Sequence, residues 1–228
     1  MRDVVIFDFD GVILDSFKDQ FEWFKHICEI LSKEFKYSNL DEFREDYLEP
    51  VYPRMYTFLG FDWEKEKDTI RKEYNQHKAS SNIELVEGIK PVIIDLYHQG
   101  KTMAITSSNT HEAINKQMKR HGLKFYFEQV VVKEDLPVVN GEPLLKPDPA
   151  CLLIALDRLN CEPQEAIYIG DQPSDIIAAM RVAEFRGHPL STIAVTYGYS
   201  TERKLRESKT NYIYIVHSPR ELSNLLYD

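Results

Sequence analysis

The hydrophobic period of the chain changes twice. Val4-Val5-Ile6-Phe7 is an unbroken apolar run of β-formers, and Asp8-Phe9-Asp10-Gly11 closes it with two carboxylates and a turn-permitting glycine. This pattern predicts a buried strand emptying into an acidic loop. From Ser16 the spacing becomes helical, with Phe17, Phe21, Phe24, Cys28, Leu31 and Phe35 recurring at steps of four and three, one face of a long amphipathic helix. Ser38 with Asp41 predicts the start of a second helix carrying Leu40, Phe43 and Tyr47. Tyr52-Pro53-Arg54-Met55-Tyr56 reads as an aromatic-rich turn, and Asp62 with Glu64 and Glu66 opens a third, more polar helix towards Lys78. Residues 17–83 form an all-helical block that ends in Ala79-Ser80-Ser81-Asn82, a small polar stretch suited to a hinge.

Beyond that stretch helix and strand alternate. Helices are predicted from Pro91 to Tyr97, Thr110 to His121, Asp148-Pro149 through Leu159, Asp175 to Ala183, and from Pro219. Strands are predicted over Thr102–Thr106, Gln129–Val132, Ala166–Ile169, Thr192–Val195 and Tyr212–Val216. Such alternation means an α/β fold, a parallel sheet with helices on both faces, in which ligands gather at the carboxyl ends of the strands. Asn140-Gly141 marks a hairpin turn within an extended ribbon over residues 133–145, and residues 184–191 form a further long loop.

Composition narrows the class of partner. The 228 residues are 43% hydrophobic and 29% charged, ordinary for a globular protein, and no apolar run approaches the length of a membrane span. Acidic residues outnumber basic ones 37 to 28, a formal charge of -9, which argues against nucleic acid or an anionic membrane as partner. Three scattered cysteines, Cys28, Cys151 and Cys161, suit neither a disulfide framework nor a thiolate zinc site. The start of the chain lacks the long apolar region of a signal peptide, so the cytoplasm is the expected location.

The candidate chemistry sits at strand ends. Asp8 and Asp10, Ser107, Lys146, and Asp171 with Asp175 all lie at or just beyond predicted strands or in the loops that follow, which share one edge of a parallel sheet. Four carboxylates repel one another unless a hard cation sits among them, and Mg²⁺ takes a few carboxylate oxygens together with water and phosphate. Each residue alone has a plainer reading: an isolated Asp-x-Asp-Gly is a turn, Ser107 a helix cap, Lys146 a solvated loop lysine, Asp175 a first-turn acid. Only the set points to phosphoryl transfer. Gly100-Lys101-Thr102 imitates the end of a phosphate-binding loop but lacks its earlier glycine and leads into a strand.

In that order the residues resemble the haloacid dehalogenase superfamily, in its subgroup of phosphatases and phosphomutases with a helical cap. Asp8-Phe9-Asp10-Gly11-Val12 is similar to the first motif, Ser107 to the second, Lys146 in Lys146-Pro147-Asp148-Pro149 to the third, and Gly170-Asp171-Gln172-Pro173-Ser174-Asp175 to the fourth. The resemblance implies a Rossmann-like core of residues 1–16 and 84–228 with a helical cap inserted at 17–83. It implies Asp8 as the nucleophile forming an aspartyl phosphate and Asp10 as acid and base. Ser107, the amides around Ser108 and Asn109, and Lys146 would bind the phosphoryl group. Asp8, Asp10 through its carbonyl, Asp171 and Asp175 would serve a Mg²⁺ ion, Asp175 through bound water or by orienting Lys146. Arg54 of the cap is the candidate contact for a second polar group on the substrate.

The expected function is Mg²⁺-dependent hydrolysis of a small phosphate monoester, similar to the phosphoglycolate phosphatases. A β-phosphoglucomutase-like mutase is the alternative, and a non-catalytic phospho-acceptor or binding protein the reading from a different class. The expected partner is a small phosphorylated metabolite, with monomer and homodimer both open. The net charge of -9 is no obstacle to it, since Mg²⁺ and Lys146 reverse the sign that a phosphate meets locally.

Overall fold

A computed structural model describes residues 3–49, 51–208 and 214–227. Strand β1 (Val4–Asp8) is buried along its whole length, as its continuous apolar run requires of a strand covered on both faces. The chain then divides into two compact units, Ser16–Glu84, and Met1–Asp15 with Leu85–Asp228.

The smaller unit is helical: α1 (Ser16–Ile30), α2 (Leu40–Asp46), α3 (Val51–Phe58) and α4 (Trp63–Ser80). Phe17, Trp23, Phe24, Ile27 and Cys28 give α1 its buried face. Phe43 is the centre of an aromatic cluster, with ring centroids 5.5 Å from Phe17, 5.5 Å from Phe21, 5.7 Å from Phe24 and 5.2 Å from Tyr37. Four local expectations shift. Helix α1 stops before Leu31, where Ser32 turns left-handed (φ 53°) and the Lys33 N–H closes onto the Cys28 carbonyl at 2.8 Å. Phe35 still packs its ring 5.2 Å from Phe21, so the apolar period continues in the packing after the helix has ended. Asn39, not Ser38, caps α2: its side chain accepts from the N–H groups of Asp41 and Glu42 at 3.1 and 3.0 Å, while Glu42 reaches back to the Ser38 N–H at 2.8 Å. The aromatic stretch expected to be a turn is helix α3, because Pro53 falls in a first turn, where its missing N–H costs nothing. The expected hinge is helical through Ser80, and the Ser81 N–H bonds the His77 carbonyl at 2.8 Å.

The larger unit continues from β1 through α5 (Ile89–His98), β2 (Thr102–Thr106), α6 (His111–His121), β3 (Gln129–Val131), the hairpin β4 (Val138–Val139) and β5 (Glu142–Pro143), and α7 (Ala150–Leu159). It ends with β6 (Ala166–Gly170), α8 (Pro173–Arg181), α9 (Ala183–Arg186), β7 (Ser191–Val195), α10 (Glu202–Glu207), β8 (Tyr214–Val216) and α11 (Pro219–Tyr227). Residues 212 and 213 of the last predicted strand lie outside the described residues. The stretch expected as a loop at 184–191 contains α9, ended by left-handed Gly187.

Among the described residues the main sheet has the order β3-β2-β1-β6-β7-β8, with every pairing parallel. Chain progression reverses between β1 and β6, the switch point at which an open α/β sheet forms a crevice beyond its strand ends. Val4 and Ile6 join Ala104, Val131, Ala166 and Tyr168 in one apolar cluster with α7 and α8 residues such as Leu152, Leu156 and Ala178. The alternate residues Val5 and Phe7 point to the opposite face, where Phe7 meets Phe127 edge-on at 6.0 Å. No described helix is long and apolar enough to cross a membrane.

Candidate active site

Asp8 is the last residue of β1, paired in register with Thr106 of β2, and is 6% exposed. The loop after it is pinned from within. Phe9, Val12 and Ile13 are fully buried, the Phe9 carbonyl accepts from the N–H groups of Ile13 and Leu14 at 3.0 and 2.9 Å, and Gly11 donates to the Leu14 carbonyl at 2.9 Å. Gly11 holds φ +81°, and a Cβ there would lie 2.4 Å from Asp171 Oδ2.

Ser107 follows β2 and is buried, its N–H on the Val131 carbonyl at 2.9 Å. Its hydroxyl accepts the Asn109 N–H at 3.1 Å, which leaves the hydroxyl proton to donate elsewhere. The Asn109 side-chain amide donates to Asp10 Oδ2 at 2.7 Å, so β1 and β2 are linked across their carboxyl ends. Ser108 is exposed.

Lys146 reaches the same edge from the loop before α7. Its buried ammonium donates to Asp8 Oδ1, to the Tyr168 hydroxyl at 3.0 Å and to Asp175 Oδ1 at 2.6 Å. Asp175, in the first turn of α8, uses Oδ2 to accept the N–H groups of Asp171 and Gln172 at 3.1 and 3.0 Å, which caps the helix. Asp171 follows β6, fully buried, and its Oδ2 accepts the Tyr199 N–H at 2.5 Å.

Carboxylate oxygens of Asp8, Asp171 and Asp175 lie within 4.8 Å of one another. Three buried carboxylates thus lie together, and the Lys146 ammonium meets two of them, Asp8 and Asp175. The electrostatics record the imbalance: burial pushes the Asp8 carboxyl up to about 8, with Lys146 pulling it down and Asp175 and Asp10 adding to the rise. Burial alone would lower the Lys146 value, but the carboxylates of Asp175 and Asp8 outweigh it and hold the ammonium charged well above its ordinary range. Burial raises Tyr168 as well, helped by Asp175.

The residues fit a hard divalent cation. All-oxygen donors are what Mg²⁺ prefers, and the surplus of negative charge is what it would neutralise. The packing around Asp171 agrees. A Cβ at Gly198 would lie 2.2 Å from Asp171 Oδ2, so two glycines, Gly11 and Gly198, let backbone close around that carboxylate as side chains could not.

Tyr168, Gly198 and Tyr199 join the residues expected from the sequence at this edge, and none of the three is among those expected. Tyr168 is a lone hydroxyl in the apolar strand β6, and the Tyr-Gly-Tyr stretch at 197–199 follows β7, whose end lies beside that of β6. Arg54 belongs to the smaller unit, on α3, exposed, with its guanidinium donating to the Glu49 carbonyl.

Residues 5–186 match the family described as haloacid dehalogenase-like hydrolase. The chain belongs to that family. Among the relatives of this haloacid dehalogenase-like hydrolase is the pyrophosphatase PpaX of Bacillus velezensis, 29% identical over 181 residues, 76% of each chain. A putative haloacid dehalogenase-like hydrolase from Bacteroides fragilis superposes with a TM-score of 0.77 at 24% identity, over 97% of this chain and 100% of the other. A putative phosphoglycolate phosphatase from Lactobacillus delbrueckii gives a TM-score of 0.77 at 18% identity, over 99% of both chains. At those identities the two structures speak for the α/β fold. The family match and the PpaX relative support a phosphate hydrolase.

Proposed function

We propose that this haloacid dehalogenase-like hydrolase is a Mg²⁺-dependent phosphatase of a small phosphorylated metabolite, working through an aspartyl phosphate on Asp8. The observation that carries the reading is the buried bridge from Asp8 through Lys146 to Asp175, with Asp171 in the same cluster, at the switch point of the sheet.

With Oδ1 of Asp8 engaged by Lys146, Oδ2 is the oxygen that attacks phosphorus as the bond to the leaving oxygen breaks. Asp10 gives that oxygen a proton, then takes one from the water that attacks phosphorus and releases Asp8. Asn109 orients both partners, holding Asp10 by its side chain and the Ser107 oxygen by its N–H, so that the Ser107 proton is left to meet a phosphoryl oxygen. The Ser108 amide and Lys146 supply further positive ends. Asp175 has both oxygens engaged, which supports a role in orienting Lys146. Asp8, Asp171 and the Asp10 carbonyl would hold Mg²⁺, which when bound supplies charge neutralisation for the phosphoryl oxygens.

The expected substrate is a monoester, and the PpaX relatives bring inorganic pyrophosphate beside it. A phosphate-release screen over small monoesters and pyrophosphate, with EDTA and with Mg²⁺, tests the reading. Mg²⁺-dependent release that disappears in Asp8→Asn supports it; no release from any of them, or full activity in Asp8→Asn, overturns it. A hexose 1-phosphate with a bisphosphate primer, yielding hexose 6-phosphate in place of free phosphate, would show a mutase instead.

A further inference from the structure

We propose that Tyr168 is a positioning residue that, together with Asp175, anchors the rear of the Lys146 ammonium and thereby leaves it a single donor, aimed at Asp8. The proposal rests on the phosphatase reading for its kinetic consequence but not for its geometry.

An ammonium has three donors. Those of Lys146 go to Asp8 Oδ1, the Tyr168 hydroxyl and Asp175 Oδ1. Tyr168 in turn donates its own proton to Asp175 Oδ1 at 2.7 Å, closing a triangle of Lys146, Tyr168 and Asp175. Asp175 is itself fixed by the N–H groups of Asp171 and Gln172, so the triangle is tied to the start of α8 and the end of β6. The Tyr168 ring is fully buried in the apolar cluster that includes Leu152, Ala155, Leu156 and Ala178, a setting that makes no use of a hydroxyl. The hydroxyl therefore costs desolvation in an apolar cluster and, among the described residues, finds its partners in Lys146 and Asp175.

Two of the three donors are thus held from behind, and the third is the one whose acceptor changes when a phosphoryl oxygen arrives. Without the hydroxyl, Lys146 would keep its two carboxylate acceptors but lose the acceptor of its third donor, and the ammonium would be held at two points in place of three. Such a loss acts on the rate of transfer more than on substrate binding, since it misdirects the charge that must meet the phosphoryl group as the bond breaks.

Tyr168→Phe removes the hydroxyl and keeps the ring. The expected result is a kcat lower by about ten- to a hundredfold with KM changed less than about threefold. Equal kcat in a variant that is merely less heat-stable overturns the proposal. A second measurement needs neither turnover nor a variant of Tyr168 that folds. In ¹⁵N-lysine-labelled wild-type protein, the Lys146 ammonium, assigned by its disappearance in Lys146→Arg, should exchange slowly with water and show a nuclear Overhauser contact to the Tyr168 ring protons beside the hydroxyl. Absence of that contact overturns the anchor whatever the enzyme hydrolyses. Its presence in a protein that releases no phosphate from any ester or pyrophosphate would sink the phosphatase reading and leave the anchor standing.

Discussion

Adding one methyl group at Gly198 should disable the acidic cluster from outside it. A Cβ at that position would lie 2.2 Å from Asp171 Oδ2 and 2.6 Å from its Cγ, whereas ordinary contacts begin at 3.4 Å. The Asp171 carboxylate must therefore move by about 1 Å or displace backbone that closes on it, a typical overpacking cost of about 1–3 kcal/mol. For a chain of this size that amounts to a drop in Tm of about 2–12 °C. If Asp171 holds the cation, an error of about 1 Å also costs about a hundredfold in kcat. The assay is thermal unfolding of Gly198→Ala with and without Mg²⁺, alongside Gly60→Ala as control. Gly60 sits at φ +84° with nothing within 4 Å, so alanine there adds backbone strain alone, about 1–2 kcal/mol. The expected pattern is that both variants lose stability, but only Gly198→Ala loses the stabilisation that Mg²⁺ gives the wild type. A Gly198→Ala protein with wild-type stability and Mg²⁺ response would refute the reasoning.

Three further outcomes follow from the same geometry. Because burial raises the Asp8 carboxyl from its ordinary 3.8 to about 8, its protonated form is favoured in the folded chain. The stability this contributes is complete below pH about 4 and is lost as pH rises through about 8. Urea midpoints in EDTA should therefore fall between pH 6 and 9, and Mg²⁺ should flatten the slope; a flat profile in EDTA contradicts the burial argument. Phe43→Ala empties the centre of the aromatic cluster in the smaller unit and should cost about 3–5 kcal/mol, read as early hydrogen exchange in α1 and α2 while the β1 amides stay protected. Asn109→Ala frees Asp10 Oδ2 and should lower kcat by about tenfold with little change in stability, which steady-state kinetics and a melt together decide.

How far the sequence is legible follows from what each signal depends on. The strands β1, β2, β6 and β7 are local in origin, apolar runs bounded by Gly, Ser and Asp, and a parallel sheet gathers all its carboxyl ends, which brings the candidate residues to one edge. Asp8, Ser107 and Asp171 are readable for that reason, whereas Lys146, in the loop before α7, is readable only as part of the set. The limits of α1 and the presence of α3 are less so: Phe35 keeps the helical period by packing rather than by helix, and Pro53 reads as a breaker unless its position in the first turn is known. Tyr168 and Gly198 are hidden for a different reason. Nothing near them in the sequence distinguishes a core tyrosine or a loop glycine, and their roles arise only where β6 lies between β1 and β7.

The central claim is that Asp8 carries the phosphoryl group during turnover. Acid-quenching the enzyme in the steady state with Mg²⁺ and its best substrate, followed by borohydride reduction and peptide mass spectrometry, tests it directly, since borohydride converts an aspartyl phosphate to homoserine. The account predicts homoserine at position 8, dependent on substrate and absent in Asp8→Asn. Full turnover with an unmodified Asp8, or with the label on another residue, would contradict it.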